Sequence, residues 1–281
     1  MSDAPVKKTG GFADLGPRVL SAVAMIASAL GALYAGGDLF VLFWLSAGVA
    51  VNWEWQRLIG GERLEVRYGA GGATVAAAAA LGHLSLPLYA FLVIVAGAIG
   101  VAALADTPRR LWAGAGVLYA SALVFSVCVL RASEPFGLAT IAMLFAIVWG
   151  TDIFAYFGGR LIGGPKLWPA VSAGKTWSGT LTGVFSGAAL GLAAARMGAG
   201  EGLALAPTFL ICLIAAAISQ AGDLFESAIK RRYGVKDSSQ LIPGHGGVMD
   251  RLDGFTFAAI FAAGLGLVRA GASVAAGLFF W

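Results

Sequence analysis

Residues 203–253 read LALAPTFLICLIAAAISQAGDLFESAIKRRYGVKDSSQLIPGHGGVMDRLD. The first part, 203–221, is apolar almost throughout and close to the roughly 20 residues that cross a bilayer core. From Ser227 onward the character reverses. Lys230, Arg231, Arg232, Lys236 and Arg251 stand among Asp237, Asp250 and Asp253, with His245 inside a glycine-rich turn. An apolar run that ends in so dense a polar cluster predicts a membrane helix delivering chemistry to the membrane surface.

The rest of the chain repeats the apolar half. Of 281 residues 59% are hydrophobic, and 12% are charged, against about 25% in ordinary soluble domains. Apolar runs at 19–35, 39–53, 70–84, 88–105, 111–130, 136–157, 177–195, 203–221 and 255–268 predict an all-α integral membrane protein, a multi-span helical bundle of about nine transmembrane helices. The pair 70–84 and 88–105, split by Pro87, also allows a partly re-entrant reading. No polar stretch is long enough for a large soluble domain. Cys128 and Cys212 lie inside apolar runs and read as small buried hydrophobes, with neither a disulfide nor a metal assigned.

Charge sets the orientation. With a cytoplasmic N-terminus, the inner side collects Lys7, Lys8, Arg18, Arg57, Arg63, Arg67, Arg109, Arg110, Arg160, Lys166, Lys175, Lys230, Arg231, Arg232, Lys236 and Arg251. The outer side keeps Arg131, Arg196 and Arg269 of the 19 cations. This is the positive-inside asymmetry, and adding or removing one span scrambles it. The first apolar run follows Arg18 and precedes another at once, so it reads as an uncleaved span and not a secretory signal. Residues 1–16 read as a loose or interfacial tail. The chain divides into an N-terminal membrane region, 1–135, and a C-terminal catalytic membrane region, 136–281, with cytoplasmic loops at 158–178 and 222–254. Net charge +4 suits anionic lipid or a nucleotide, and no nucleic-acid partner is expected.

Carboxylates at membrane depth are costly and mark function. Four lie near inner span ends: Glu54, Asp152, Asp223 and Glu226. Glu54, between Trp53 and Trp55, reads as an interfacial anchor. Asp152 reads as a site residue, with a structural ion pair as the competing reading. In the loop 158–178, Ala173–Thr176 imitates the end of a P-loop. The pattern needs glycine where Pro169 stands, and no preceding strand is expected, so a P-loop is rejected. Ser172, Lys175 and Thr176 still sit ahead of a helix N-terminus, where free N–H groups favour phosphate. Asp223, Glu226, Ser227 and Lys230 share one helix face. Gly246 and Gly247 leave backbone open beside His245, which is expected at phosphate or ribose. Asp250 and Asp253, again three apart, with Asp223 offer hard oxygen ligands for Mg²⁺. The surrounding cations make sense if a polyphosphate binds there. His83 receives no role, and Arg232 is left to topology or anionic lipid.

These residues resemble the phosphatidate cytidylyltransferase family. Its signature is met by Ser227, Ile229, Lys230, Arg231, Lys236, Asp237, Pro243, His245, Gly246, Gly247, Asp250, Arg251 and Asp253. An aspartate ahead of the signature is matched by Asp223. A second family segment, Ser-Pro-x-Lys-Thr-Trp-Glu-Gly, is met only partly: Ala173 replaces its proline and Ser178 its glutamate. A role resting on that glutamate does not carry over, whereas Lys175 and Thr176 still match. The likeness runs from about residue 150 to the C-terminus.

The resemblance implies a membrane enzyme joining CTP to phosphatidic acid in phospholipid biosynthesis, releasing pyrophosphate and CDP-diacylglycerol, at the cytoplasmic face of a bacterial membrane. It implies Mg²⁺ held by Asp223 and Asp250, with Asp253 serving a second cation such as K⁺ or the surrounding shell, and it suggests a homodimer. The substrate phosphate is already anionic near neutral pH, so no nucleophilic side chain or covalent intermediate is expected. Lys230, Lys236 and Arg251, with Lys175 as a second clamp, are expected to hold phosphates. Two readings compete: a CTP-dependent lipid-alcohol kinase, and a transporter with acids along an ion path. The Asp-x-x-Asp-Gly-x-x-Ala-Arg pattern of CDP-alcohol phosphotransferases is absent.

Overall fold

The computed structural model describes residues 15–269 and 273–280. Residues 1–14, which include Lys7, Lys8 and most of the expected tail, lie outside the described residues, as do 270–272 and 281. Nine long helices occur among the described residues: α1 Leu15–Ala35, α2 Gly37–Ile59, α3 Leu64–His83, α4 Pro87–Leu104, α5 Arg110–Arg131, α6 Gly137–Leu161, α7 Trp177–Ala199, α8 Leu205–Arg232 and α9 Met249–Arg269. A short helix, α10 Ala276–Phe279, follows. Six of them, α4 to α9, are long and apolar enough to cross a membrane. In α2 and α3 the apolar runs are diluted by Glu54, Arg57, Glu65 and Arg67, as befits helices that also carry buried polar contacts.

Helices outrun the apolar segments that predict them. The run ending at 221 continues as α8 for three more turns, because Asp223 to Arg232 is rich in helix formers and Glu226 pairs with Lys230 one turn on, at 2.6 Å. Gly234, with φ +71°, ends it. At the other end of the loop, α9 begins at Met249, so Asp250 and Asp253 stand on its first turns. The expected loop 222–254 therefore shrinks to 233–248. Hydropathy stops at the first charge; backbone hydrogen bonding does not.

The connection between α6 and α7 corrects another expectation. It contains an antiparallel hairpin, β1 Lys166–Trp168 with β2 Ser172–Thr176, registered Lys166 to Thr176 and Trp168 to Ser172. A strand thus does precede α7, but it contains Lys175 and Thr176 instead of preceding them, so the P-loop arrangement remains absent. Thr176 caps α7, its hydroxyl accepting from Gly179 N at 3.1 Å.

The most extensive helix pair is α6 with α7, and its cause is a glycine at every fourth residue. A Cβ at Gly179, Gly183 or Gly187 would come within 2.6 Å of Ala155 O, 2.5 Å of Thr151 O or 2.1 Å of Thr151 Oγ1 respectively. Only hydrogen at these positions lets the backbones touch, the usual means of holding helices together in lipid. One buried cluster runs from α2 and α5 through α6, α8 and α9. Trp44 of α2 stacks on Phe255 of α9 with centroids 5.0 Å apart.

Candidate active site

The C-terminal ends of α6 and α8, the N-terminal ends of α7 and α9, and the hairpin surround a cavity of about 720 Å³. Its wall carries Asp152 from α6, Gln220, Asp223 and Lys230 from α8, and Asp250, Arg251 and Asp253 from α9. Lys166, Ser172, Lys175 and Thr176 come from the hairpin, with Arg160 and Tyr156 at the end of α6. Helix α8 carries its side chains here because the turns beyond residue 221 stay helical: Gln220, Asp223 and Lys230 fall on one face.

The charges are paired in two groups. Lys175 Nζ lies 2.6 Å from Asp223 Oδ2 and donates to Gln220 Oε1 at 2.9 Å. Gln220 Nε2 donates in turn to Asp152 Oδ1 at 3.4 Å. Lys230 Nζ sits between Asp250 Oδ1, at 2.5 Å, and Glu226 Oε2, at 2.6 Å. The other oxygen of Asp250 accepts from Ser238 N, Ser238 Oγ and Gly247 N at 2.9, 2.9 and 2.8 Å. Among the described residues no ion pair engages Arg251, and Asp253 accepts only from Gly254 N at 2.7 Å.

Nine of the residues expected from sequence line this cavity: Asp152, Ser172, Lys175, Thr176, Asp223, Lys230, Asp250, Arg251 and Asp253. Others stand apart. Arg231, Lys236 and Asp237 are exposed and outside its lining. Ser227 donates to Asp223 Oδ1 at 3.3 Å. Gly246 and Gly247 are buried against carboxylates: a Cβ at Gly246, where φ is +82°, would come 2.7 Å from Asp250 Oδ2, and one at Gly247 2.5 Å from Glu54 Oε1. Their smallness serves the packing of this loop onto acids. Ser178 donates to Gly163 O, closing the base of the hairpin.

Glu54 is not an interfacial anchor. It is fully buried and accepts from Ser238 Oγ, Ser239 Oγ, Val248 N and Met249 N at 3.2, 2.6, 2.9 and 2.6 Å. The flanking tryptophans suggested an interface, yet Trp55 is buried too; only Trp53, under the Arg57 guanidinium at 5.0 Å, keeps that character. Gln220 also escaped the sequence reading. An amide inside an apolar run was its only signal.

The carboxylates suit a hard cation. Among the described residues no three His, Cys, Asp or Glu side chains form a ready metal-holding group. Mg²⁺, however, is commonly bound by one or two carboxylates, with waters and substrate phosphates completing its shell. Asp152, Asp223 and Asp253 offer such oxygens toward one cavity, though Asp223 would have to release Lys175, and Asp250, with both oxygens engaged, would have to release Lys230 to serve as a ligand.

A second cavity, about 580 Å³, adjoins the first. It is an apolar groove between α1, α2, α6 and α9, walled by Met25, Ala29, Trp44, Ala47, Phe145, Trp149 and Phe255. Asp152 and Arg251 line both cavities. His245 opens onto this groove, its Nδ1 2.8 Å from Ser21 Oγ of α1, and not onto the polar cavity.

The model of the cytidylyltransferase family matches residues 16–267. A phosphatidate cytidylyltransferase of Brucella abortus biovar 1 (strain 9-941) is 39% identical over 272 residues, covering 96% of this chain and 99% of the relative. One from Pseudomonas aeruginosa is 34% identical, covering 88% and 95%. One from Haemophilus influenzae is 45% identical over 132 residues, 46% of each chain. The match spans nearly all of the chain, both the helices that build the groove and those that build the polar cavity: the chain belongs to the cytidylyltransferase family.

Proposed function

We propose that this chain transfers CMP from CTP to phosphatidic acid, giving CDP-diacylglycerol and pyrophosphate. The observation that carries the reading is the junction of the two cavities: a polar chamber of cations and carboxylates meets an apolar groove at Asp152 and Arg251. A lipid lying in the groove presents its phosphate where a nucleotide in the chamber presents its own. The names of the relatives agree with that substrate pair.

An oxygen of the lipid phosphate attacks the α-phosphorus of CTP. The bond from that phosphorus to the bridging oxygen of the β-phosphate breaks, and pyrophosphate leaves with the electron pair. No side chain need supply a nucleophile, because the lipid phosphate is already ionised. Bringing two polyanions together is the harder task, and positioning with charge stabilisation performs it. Arg251, free of ion pairs among the described residues and shared by both cavities, is assigned to the lipid phosphate. Lys175 and Lys230 are assigned to the phosphates of CTP. Asp223 and Asp253, with Asp152 beside them, would hold Mg²⁺, which when bound neutralises polyphosphate charge and favours departure of pyrophosphate. K⁺ as a second cation and a homodimer remain expectations from the family resemblance.

The same reading puts the cavity at the cytoplasmic surface, with nine crossings and a cytoplasmic N-terminus. Its support is that the basic loops converge there and that Ser21, near the start of α1, meets Pro243 and His245. The test is to incubate purified protein with phosphatidic acid and CTP labelled on the α- or the γ-phosphate, with Mg²⁺ or with EDTA. α-Label in the lipid fraction, lost in EDTA and restored by Mg²⁺, is expected. Lipid labelled only from the γ-position would make the enzyme a kinase, and no label from either would end the reading.

A further inference from the structure

Glu54 lies in α2, far in sequence from every residue that lines the polar cavity, and it does not line that cavity itself. It nevertheless holds four hydrogen bonds from one short piece of chain, Ser238, Ser239, Val248 and Met249. Two of these donors are the backbone N–H groups that open α9, so a side chain from another helix caps α9, its negative charge at the positive end of the helix dipole. The first turn of α9 is the one that carries Asp250 and Arg251.

The connection continues inward. The Ser238 hydroxyl stands between Glu54 Oε2, at 3.2 Å, and Asp250 Oδ2, at 2.9 Å. It has one proton to share between two carboxylates. Asp250 Oδ1 then holds Lys230. A continuous chain therefore runs Glu54, Ser238, Asp250, Lys230, from the N-terminal helices to the wall of the cavity. Gly247 confirms how tightly it is drawn, since a Cβ there would come 2.0 Å from Ser238 Oγ and 2.5 Å from Glu54 Oε1.

We propose that Glu54 is a positioning residue for the reaction: through Ser238 and the start of α9 it sets where Asp250 holds the Lys230 ammonium and where Arg251 enters the cavity. This rests on the proposed transfer for its kinetic consequence but not for its structural one. Glu54→Gln puts an amide NH₂ against backbone donors and breaks the cap, while Ser238→Ala removes only the bridging hydroxyl.

The test measures kcat per folded molecule, KM for CTP, and the rate at which an amine-directed acylating reagent modifies Lys230, read by mass spectrometry. Each variant should lower kcat by between about tenfold and a hundredfold, the scale of a small displacement of a reacting group, with KM for CTP within about threefold. The double variant should be no worse than the poorer single one, because both act along one chain of contacts. Lys230 should acylate at least about three times faster in Glu54→Gln. A role confined to stability would lower the thermal midpoint and leave kcat of the surviving folded enzyme unchanged. Wild-type kcat in both variants, or additive losses in the double, overturns the proposal. Should Glu54→Gln fail to accumulate, Ser238→Ala decides alone, and a wild-type kcat there counts against it. If the wild-type enzyme makes no lipid product, the transfer reading fails by itself. Lys230 acylation then judges this inference, and an unchanged rate in Glu54→Gln overturns it.

Discussion

Asp250 and Asp253 show how two neighbouring carboxylates differ in what they can do. Both oxygens of Asp250 are held by protein donors, one of them Lys230. Asp253 accepts from a single backbone N–H and otherwise faces the cavity. Removing one charge of a buried pair costs about 3–5 kcal/mol, so Asp250→Asn should lose activity and thermal stability together. Asp253→Asn should keep its melting temperature within a few degrees and lose about a hundredfold or more in kcat, as expected when a carboxylate assigned to hold a charge-neutralising Mg²⁺ is removed. Melting in detergent alongside the α-label assay separates the two. Equal stability losses in both variants would remove the distinction. The sequence pairs these acids by spacing alone; that one is consumed by Lys230 is a fact of three dimensions.

At the scale of elements, the α6–α7 contact holds the hairpin over the cavity. Lys175 sits on β2, and β2 runs directly into α7, so any separation of α7 from α6 moves Lys175 relative to Asp223. Gly187 is the tightest point, where a Cβ would come 2.1 Å from Thr151 Oγ1. Gly187→Val should cost about 1–3 kcal/mol through overpacking, and KM for CTP should rise as the hairpin is displaced. Gly200, with φ +80° and no neighbour within 4 Å of an added Cβ, lies beyond this interface, and Gly200→Asn should leave KM unchanged. A Gly187→Val enzyme with wild-type KM would show that the hairpin is held by its own contacts.

The whole molecule is organised around the meeting of an apolar groove and a polar chamber. Helices from both halves of the chain build the groove, and the small side chain of Ala47 in α2 is part of its lining. Ala47→Phe should therefore raise KM for long-chain phosphatidic acid several-fold while leaving KM for CTP unchanged, with the assay run in mixed micelles at fixed lipid fraction. An equal rise in both constants would place the lipid elsewhere. The groove also explains His245: a residue of the signature loop reaches α1 through Ser21 and lines the apolar groove, not the polar cavity.

What the sequence by itself determined was the membrane setting, the helical class and the identity of about half of the residues that line the polar cavity. Apolar run length and the cost of burying charge in lipid are local properties that no partner can change. Lys175, Asp223, Lys230 and Asp250 were legible because charged residues beside membrane spans need a reason. Tertiary structure alone decided the partnerships. Glu54 carries the same tryptophan flanks whether it lies at an interface or caps a helix nearly two hundred positions onward, and nothing in its neighbourhood records which. The hairpin was hidden because its strands are too short for an alternating pattern to emerge. The division of the glycines between helix contact and loop packing followed from which backbone lay opposite each one, a relation set only when distant helices meet.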